Sequence, residues 1–423
     1  MPRMNRHRKK NDTNRLSVRL ANPRNLIIAS QGVYSLNNLA FTLLVAHFGG
    51  IADVGQSAIY ASVTAVCLGL SRALFIEPML LSKQTQIQTD YLILVTLFAF
   101  TLCTASLLVS VSLDVNVRTA LVLAGGFIVI QDYVRQVNFA KAKPARTLAM
   151  DLYWLLSLVA YGLNGLLADG ASVFRAWSAA SLSSLLIGIL LAGFVRPTSG
   201  GVGRVKNSSS GLVAYSVLEA LTFQLIFNFG IVMAFSVFSI EAAGYYRLSS
   251  SVLAPVGLVM VALATANFVS ISRGVSHIST LVRMSLTAGA VTLAVASCCI
   301  FALSLLQFSG VNLIAGVSLV YTSILAIQYP FYSASGPWSA YLKSSKARWD
   351  IVAARIAGIP TLVAVGGMAF IFHEMVLLYI AIALSAGVQF SVDVFLSKRR
   401  FKLDRVAETV SFDLAPGSEA VRG

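Results

Sequence analysis

Residues 25–48 read NLIIASQGVYSLNNLAFTLLVAHF and contain no Asp, Glu, Lys or Arg. A helix that spans a bilayer needs roughly 20 mostly apolar residues, and this run supplies them. Similar runs recur near 55–77, 91–113, 118–139, 148–168, 174–195, 211–236, 247–270, 281–307, 311–333, 351–372 and 375–396. Their length and mixed Leu/Ile/Val/Ala/Phe content predict helices. Barrel strands would instead alternate polar and apolar residues over about 10 positions. The fold class is therefore all-α, a polytopic membrane protein with about 12 transmembrane helices.

The composition agrees. Of 423 residues, 57% are hydrophobic and 12% charged, with a mean hydropathy of +0.78. A soluble domain carries about 25% charged residues, so this chain has too little polar surface to clothe a water-soluble fold. The net charge of +15 and pI near 9.9 would by themselves suggest nucleic-acid binding. The location of the charges removes that reading, because residues 1–24 and 397–423 hold 19 of them and the intervening chain is only about 8% charged. No nucleic-acid partner is expected.

Lys and Arg distribution sets the topology. One side of the twelve-span arrangement receives 29 cations, while the other receives only Arg118, Arg175 and Arg247. Both termini are expected in the cytoplasm, with the protein multi-pass in the inner or plasma membrane. The expected organisation is a basic arm (1–24), an N-lobe of six spans (25–195), a basic Gly/Ser-rich loop (196–210), a C-lobe of six spans (211–396) and a tail (397–423). The halves echo one another: Ala52-Asp53-Val54-Gly55 and Glu241-Ala242-Ala243-Gly244 lie 189 residues apart. Paired repeats are a common transporter plan, with the substrate path between them.

Polar residues inside spans are costly and mark function or helix contacts. Gln31, Ser35, Asn38 and Thr42 form one stripe on span 1, readable either as a cavity wall for sugars or water or as a helix–helix seam. Span 7 carries Glu219, a carboxylate suited to a cation or proton, with Gln224 and Asn228 beyond it. Arg247 is expected to begin span 8, where it needs Glu241 or an anionic group as partner. Asp132 and Arg135, one turn apart at the end of span 4, could pair. Asp151 and Trp154 open span 5, Trp154 reading as an interfacial anchor. Pro330 is expected to kink span 10, and Trp338, Lys343, Lys346 and Arg348 beyond it read as an interfacial loop. Cys67, Cys103, Cys298 and Cys299 read as small buried apolar residues, and no metal spacing is present.

These residues carry a resemblance. Gln31, Gly55, Ser71-Arg72-Ala73-Leu74-Phe75-Ile76-Glu77-Pro78, Gln131-Asp132-Tyr133-Val134-Arg135, Phe139, Pro144, Asp151, Trp154, Gly244-Tyr245-Tyr246-Arg247 and Pro255, set in a 6+6 plan, resemble the multidrug/oligosaccharidyl-lipid/polysaccharide (MOP) exporter superfamily. Within it the chain is most similar to the polysaccharide-biosynthesis flippases. The resemblance implies alternating-access movement of a polyprenyl-diphosphate-linked oligosaccharide to the outer leaflet. Its implied partners are the lipid-linked glycan, membrane lipids, a polysaccharide polymerase and glycosyltransferases. The expected substrate cavity comprises Gln31, Ser35, Asn38, Thr42, Arg72, Glu219, Asn228 and Arg247. The expected cytoplasmic gate comprises Asp132, Arg135 and Asp151. No cofactor is expected, and the coupling ion would be H+ or Na+. A cation-coupled drug exporter of the same superfamily is the alternative. An enzyme is not expected, since the chain has no Gly-rich phosphate loop, metal cluster or nucleophile–base arrangement.

Overall fold

A computed structural model describes residues 23–76, 87–106, 115–193, 210–272, 277–308, 318–345 and 347–413. Most of the basic arm, Glu77-Pro78, the loop over 196–209 and the tail from 414 lie outside the described residues. The described residues form helices and no strand. In chain order these are α1 (Pro23–Phe48), α2 (Ile51–Ser71, continued by a π-helical turn, Arg72–Ile76), α3 (Ile87–Ser106), α4 (Val115–Ala140), α5 (Pro144–Leu163) and α6 (Gly170–Ala192). There follow α7 (Ser210–Met233, with a π-helical turn at Ala234–Phe238), α8 (Ile240–Val252), α9 (Ala254–Ser272) and α10 (Ile278–Phe308). The last are α11 (Leu319–Ala326), α12 (Gln328–Ser344), α13 (Arg348–Phe372) and α14 (Met375–Asp413).

Among the described residues, seven helices are by themselves long and apolar enough to cross a membrane, and the bent pair α8–α9 makes an eighth. The bend has a cause in Pro255, which lacks an N–H and clashes with the preceding turn. The interior also inverts the soluble pattern. Leu163, Leu190 and Phe308 are 84%, 80% and 94% exposed, whereas Asp132, Arg135, Asp151 and Asp393 are at most 2% exposed. Large apolar side chains outside and charges inside suit a lipid solvent, where outward polar groups would find no partner.

Span 10 is interrupted where Pro330 leads one to expect: the helix stops at Ala326, one turn before the proline, then α12 resumes at Gln328 and runs through Pro330 and Pro337 to Ser344. Pro330 lacks the N–H that would bond the preceding turn and its ring crowds that turn's carbonyl, the same relation that Pro255 has to the α8–α9 bend. Trp338, expected at an interface, is 2% exposed and packs with Tyr341, Leu281 and Phe401. Cys298 also departs from expectation, being exposed on α10, while Cys67 is buried.

The chain divides into two compact units: residues 1–258 with 303–318, and residues 259–302 with 319–423. In the first unit the apolar core gathers Phe41, Val45, Val54, Trp154, Leu158, Phe174 and Trp177 from α1, α2, α5 and α6. A second cluster of Val95, Tyr133, Val137, Met150 and Leu185 ties α3 to α4, α5 and α6. In the second unit α14 packs along α13, α12 and α11.

Within the first unit the two similar segments meet each other. A methyl at Gly55 would strike the Ile240 carbonyl oxygen, and a methyl at Gly244 would strike the Ile51 carbonyl oxygen. Ile51 and Ile240 stand 189 residues apart, as do Gly55 and Gly244. The contact is therefore reciprocal, the mark of a two-fold relation between α2 and α8. The neighbouring helices follow in exchanged fashion: α1 meets α9 at Gly32 and Leu258, and α7 meets α2 at Gln224 and Gly69. Small residues permit such close approach, which is a main source of helix attraction in lipid. Gly55→Ala and Gly244→Ala should each cost about 1–3 kcal/mol and lower the melting temperature of the detergent-solubilised protein. Unchanged melting in both would show that α2 and α8 do not cross there.

Candidate functional site

The polar core of the first unit assembles from four helices. On α4, Gln131, Asp132, Arg135 and Asn138 project from consecutive turns, and all are at most 2% exposed. The helix can carry them because it is the most enclosed of the spans, with 83% of its apolar window buried. On α5, Asp151 and Trp154 are fully buried, as are Ser30 and Asn37 on α1. On α2, Arg72 begins the π-helical turn, a local widening often found at functional positions.

The charges alternate across these helices. Arg72 holds Asp132 through both Nε and Nη2, at 2.7 and 2.8 Å to the two carboxylate oxygens. This is the strong bidentate form of the pair. Arg135 lies 3.3 Å from Asp151, with the side chains 1% and 0% exposed. Ser30 donates to Asp151 Oδ2 at 2.5 Å, and Asn37 donates to the Asp151 carbonyl at 3.1 Å. The Arg135 guanidinium also stacks 4.2 Å above the Tyr34 ring, a cation–π contact strengthened by desolvation. From there an aromatic column continues through Trp154, Trp177 and Phe41, with centroid separations of 5.8, 4.6 and 4.2 Å. Gln131 donates to Ser184, which donates to the Met150 carbonyl, both at 2.9 Å. That relay ties α4 to α6 and α5.

Asp132 and Arg135, close enough along α4 to pair with each other, do not. Each residue reaches another helix instead, because two charged neighbours on one buried helix each need a facing counter-charge once water is removed. Trp154 is not an interfacial anchor but the hinge of the aromatic column. On α1, Gln31, Ser35 and Asn38 are half-buried, and Asn38 and Thr42 direct hydrogen bonds to carbonyls of their own helix. Thr42 also accepts from Ser251 of α8 at 3.3 Å. The face that meets Asp151 is the adjacent one, Ser30, Tyr34, Asn37 and Phe41, displaced by a single residue. Asn228 is buried and bonds to Gln224, and Glu219 is half-buried on α7. Arg247 is half-buried two turns inside α8, which starts at Ile240. The dipole argument for a partner at a helix start therefore does not apply to it.

Several buried atoms here lack a hydrogen-bond partner among the described residues: Asn37 Oδ1, Asp151 Oδ1, Arg135 Nε and Nη2, and Trp154 Nε1. Acceptors and donors are thus both present around one ion pair, a setting that can exchange protons or water. At the foot of the network lies the α4–α5 turn, where Ala142 adopts a left-handed backbone. Partial burial and the adjacent Lys143 and Arg146 hold the Lys141 amine below its ordinary value.

The sequence matches no protein-family model and no curated protein. Solved structures do match. An inward-facing multidrug-resistance MATE family transporter of the MOP superfamily aligns at TM-score 0.59 and 15% identity, over 88% of this chain and 95% of that one. An outward-facing form aligns at 0.61 and 15%, over 90% and 96%. A MOP superfamily transporter from Pyrococcus furiosus, described by reverse polarity of its binding pocket, aligns at 0.62 and 14%, over 90% and 96%. The chain has the fold of these transporters, whose twelve membrane helices form two lobes.

Removing one partner of a buried ion pair costs about 3–5 kcal/mol, while replacing both with apolar residues costs far less. Arg135→Leu and Asp151→Leu should each sharply lower thermal stability, and the double variant should recover most of the loss. Additive losses in a melting-temperature cycle would show that the two charges act independently.

Proposed function

We propose that this chain is an alternating-access membrane transporter that moves an anionic, lipid-linked oligosaccharide between leaflets. One observation carries the choice of substrate class: each buried acid of the first unit is already matched by an arginine. Asp132 is 2% exposed, whereas its partner Arg72 is 49% exposed. The positive member of the pair therefore faces outward. The fork edge of Arg72 is taken by Asp132, and its exposed outer edge, with the remaining N–H donors, is the part that would receive a diphosphate oxygen. The cluster Lys141, Lys143 and Arg146 adds attraction for an anionic headgroup at the cytoplasmic surface. The polar face of α1, Gln31, Ser35 and Asn38, offers amide and hydroxyl groups for a glycan.

In this reading the lipid tail stays in the bilayer while headgroup and sugar pass through the protein. Asp132, Arg135 and Asp151 form the cytoplasmic gate, and their pairings with Arg72 and Ser30 hold α1, α2, α4 and α5 together in the closed gate. The cation distribution supports an orientation with both termini cytoplasmic, and the cell membrane is the location that this reading requires. The second reading, a cation-coupled exporter, is favoured by the MATE likeness.

Reconstituted into vesicles with a fluorescent polyprenyl-diphosphate oligosaccharide, the protein should render the headgroup accessible on the opposite leaflet. Arg72→Ala should slow this by roughly tenfold or more, the worth of a hydrogen bond to a charged group. Arg72→Lys should fall between, since it keeps the charge and loses the fork. Expulsion of a lipophilic cationic dye without glycolipid movement would decide for the exporter.

A further inference from the structure

The turn between α4 and α5 gathers Lys141, Lys143 and Arg146 within six residues, and the proposed function asks of them only a diffuse attraction. The structure fixes them more closely than that requires. Ala142 takes a left-handed backbone, and the chain beyond it is pinned. The Lys143 N–H donates to the Asn138 carbonyl at 2.8 Å, and the Arg146 N–H donates to the Lys143 carbonyl at 3.1 Å. The Arg146 side chain then crosses to α6, where Nη1 donates to the Leu191 carbonyl. One turn deeper along α5, Ser184 donates to the Met150 carbonyl at 2.9 Å, and the Met150 side chain fills the notch at Gly188. The α5–α6 seam therefore ends in a cationic cap.

That cap is not neutralised by its surroundings. Among the described residues no carboxylate pairs with Lys143 or Arg146, and Asp132 and Asp151 are matched by Arg72 and Arg135. The chain that leaves α6 adds no acid either: residues 194–209 contain Arg196, Arg204 and Lys206 and neither Asp nor Glu. The crowding of like charges is registered by Lys141, whose amine is held below its ordinary value by partial burial and by Lys143 and Arg146. An anion seated there relieves all three.

Beside the cap lies an apolar track. Leu182, Leu186 and Leu190 are exposed on α6 at intervals of four residues, which keeps them on one face over about 12 Å. The track ends next to Leu191, the residue that anchors Arg146. A greasy strip closed by fixed cations has the two-part chemistry of a phospholipid, and basic places between membrane helices take anionic headgroups.

We propose that the α5–α6 seam is a binding site for an anionic glycerophospholipid, with its phosphate on Lys143 and Arg146 and an acyl chain along Leu182, Leu186 and Leu190. Arg146 keeps its bond to Leu191 through Nη1 and gives its other N–H donors to the phosphate, a charge-assisted contact. Lys143, exposed at the start of α5, adds a point charge. A zwitterionic lipid offers the same phosphate but brings an ammonium group to a cationic cap, so net charge selects the lipid. The bound lipid braces α5, which carries Asp151, against α6. Its leaflet, the cytoplasmic one, rests on the orientation read from the cation distribution. The seat itself rests on the geometry of the first unit and is distinct from the place at Arg72 assigned to the transported headgroup.

The test is native mass spectrometry of the full-length protein in detergent, with phosphatidylglycerol or phosphatidylcholine of identical chains added. The wild type should retain one phosphatidylglycerol about tenfold better than phosphatidylcholine, the worth of a hydrogen bond to a charged group. Lys143→Gln should cut that preference several-fold, and Lys143→Gln with Arg146→Gln should abolish it. Leu186→Asn should weaken retention of both lipids and leave the preference between them. Lys398→Gln with Lys402→Gln, which removes two exposed cations of α14, should retain phosphatidylglycerol as the wild type does. Equal retention of the two lipids by the wild type overturns the proposal, as does an α14 variant that loses as much preference as the α4–α5 variant. If the double variant at Lys143 and Arg146 does not fold, Lys143→Gln decides alone, and an unchanged preference overturns the proposal. A polyprenyl diphosphate that displaces phosphatidylglycerol mole for mole gives the seat to the transported headgroup and overturns it too. Phosphatidylglycerol retained without glycolipid movement rejects the flippase reading alone. Glycolipid movement with equal retention of the two lipids rejects the phospholipid site alone.

Discussion

Charge that has been taken out of water must be answered by charge or by hydrogen bonds, and the first unit is arranged around that requirement. Asp132, Arg135 and Asp151 are buried in a protein whose outer surface is Leu, Ile and Phe. None can turn outward into lipid. The order Arg72, Asp132, Arg135, Asp151 places opposite signs side by side across α2, α4 and α5. Each pairing joins two helices that the apolar contacts alone would leave free to slide. In lipid the hydrophobic effect does not press helices together, so these polar pairings and close packing define the geometry.

Close packing is supplied where backbones meet. The reciprocal approach of Gly55 to the Ile240 carbonyl and of Gly244 to the Ile51 carbonyl gives α2 and α8 a two-fold contact with no side chain between them. The α1–α9 and α7–α2 contacts then follow the same exchange. A two-fold contact of this kind is self-complementary: one geometric solution serves both copies of a repeated segment. The short echo 189 residues apart in the sequence thus has a physical meaning in the first unit, since its two members are the surfaces that touch.

Much of the fold was legible because the membrane imposes length and apolarity on every span, and runs such as 25–48 and 375–396 carry that signal openly. The interior was less legible. On span 1 the stripe Gln31, Ser35, Asn38 and Thr42 stood out because every member is polar, yet the face that binds Asp151 is Ser30, Tyr34, Asn37 and Phe41. The two faces differ by one residue, or about 100° around the helix. What distinguishes the buried one is its aromatic members, which need a core to pack against. The spacing of Asp132 and Arg135 along one helix is visible in sequence, whereas the helix that will stand opposite each of them is not. Pro330 was legible too, because a proline disturbs the turn before it whatever packs around the helix, and the break at Ile327 falls in that turn. The buried file Ser385, Gln389, Asp393 and Ser397 is hidden in sequence because it lies within an otherwise apolar final span, with small hydroxyls at both ends.

The two units answer the same electrostatic problem with the same three chemical groups. In each, a serine hydroxyl from a separate helix donates to the buried aspartate, and an arginine stands beyond hydrogen-bond geometry at 3.3 Å or 3.8 Å. They differ in the surroundings of the arginine: Arg135 is 1% exposed and lies against the Tyr34 ring, whereas Arg355 is 12% exposed and also donates to Ser339. In the first unit, loss of the Asp151 charge would leave a desolvated cation against a ring face and so oppose the packing of α1, α4 and α5.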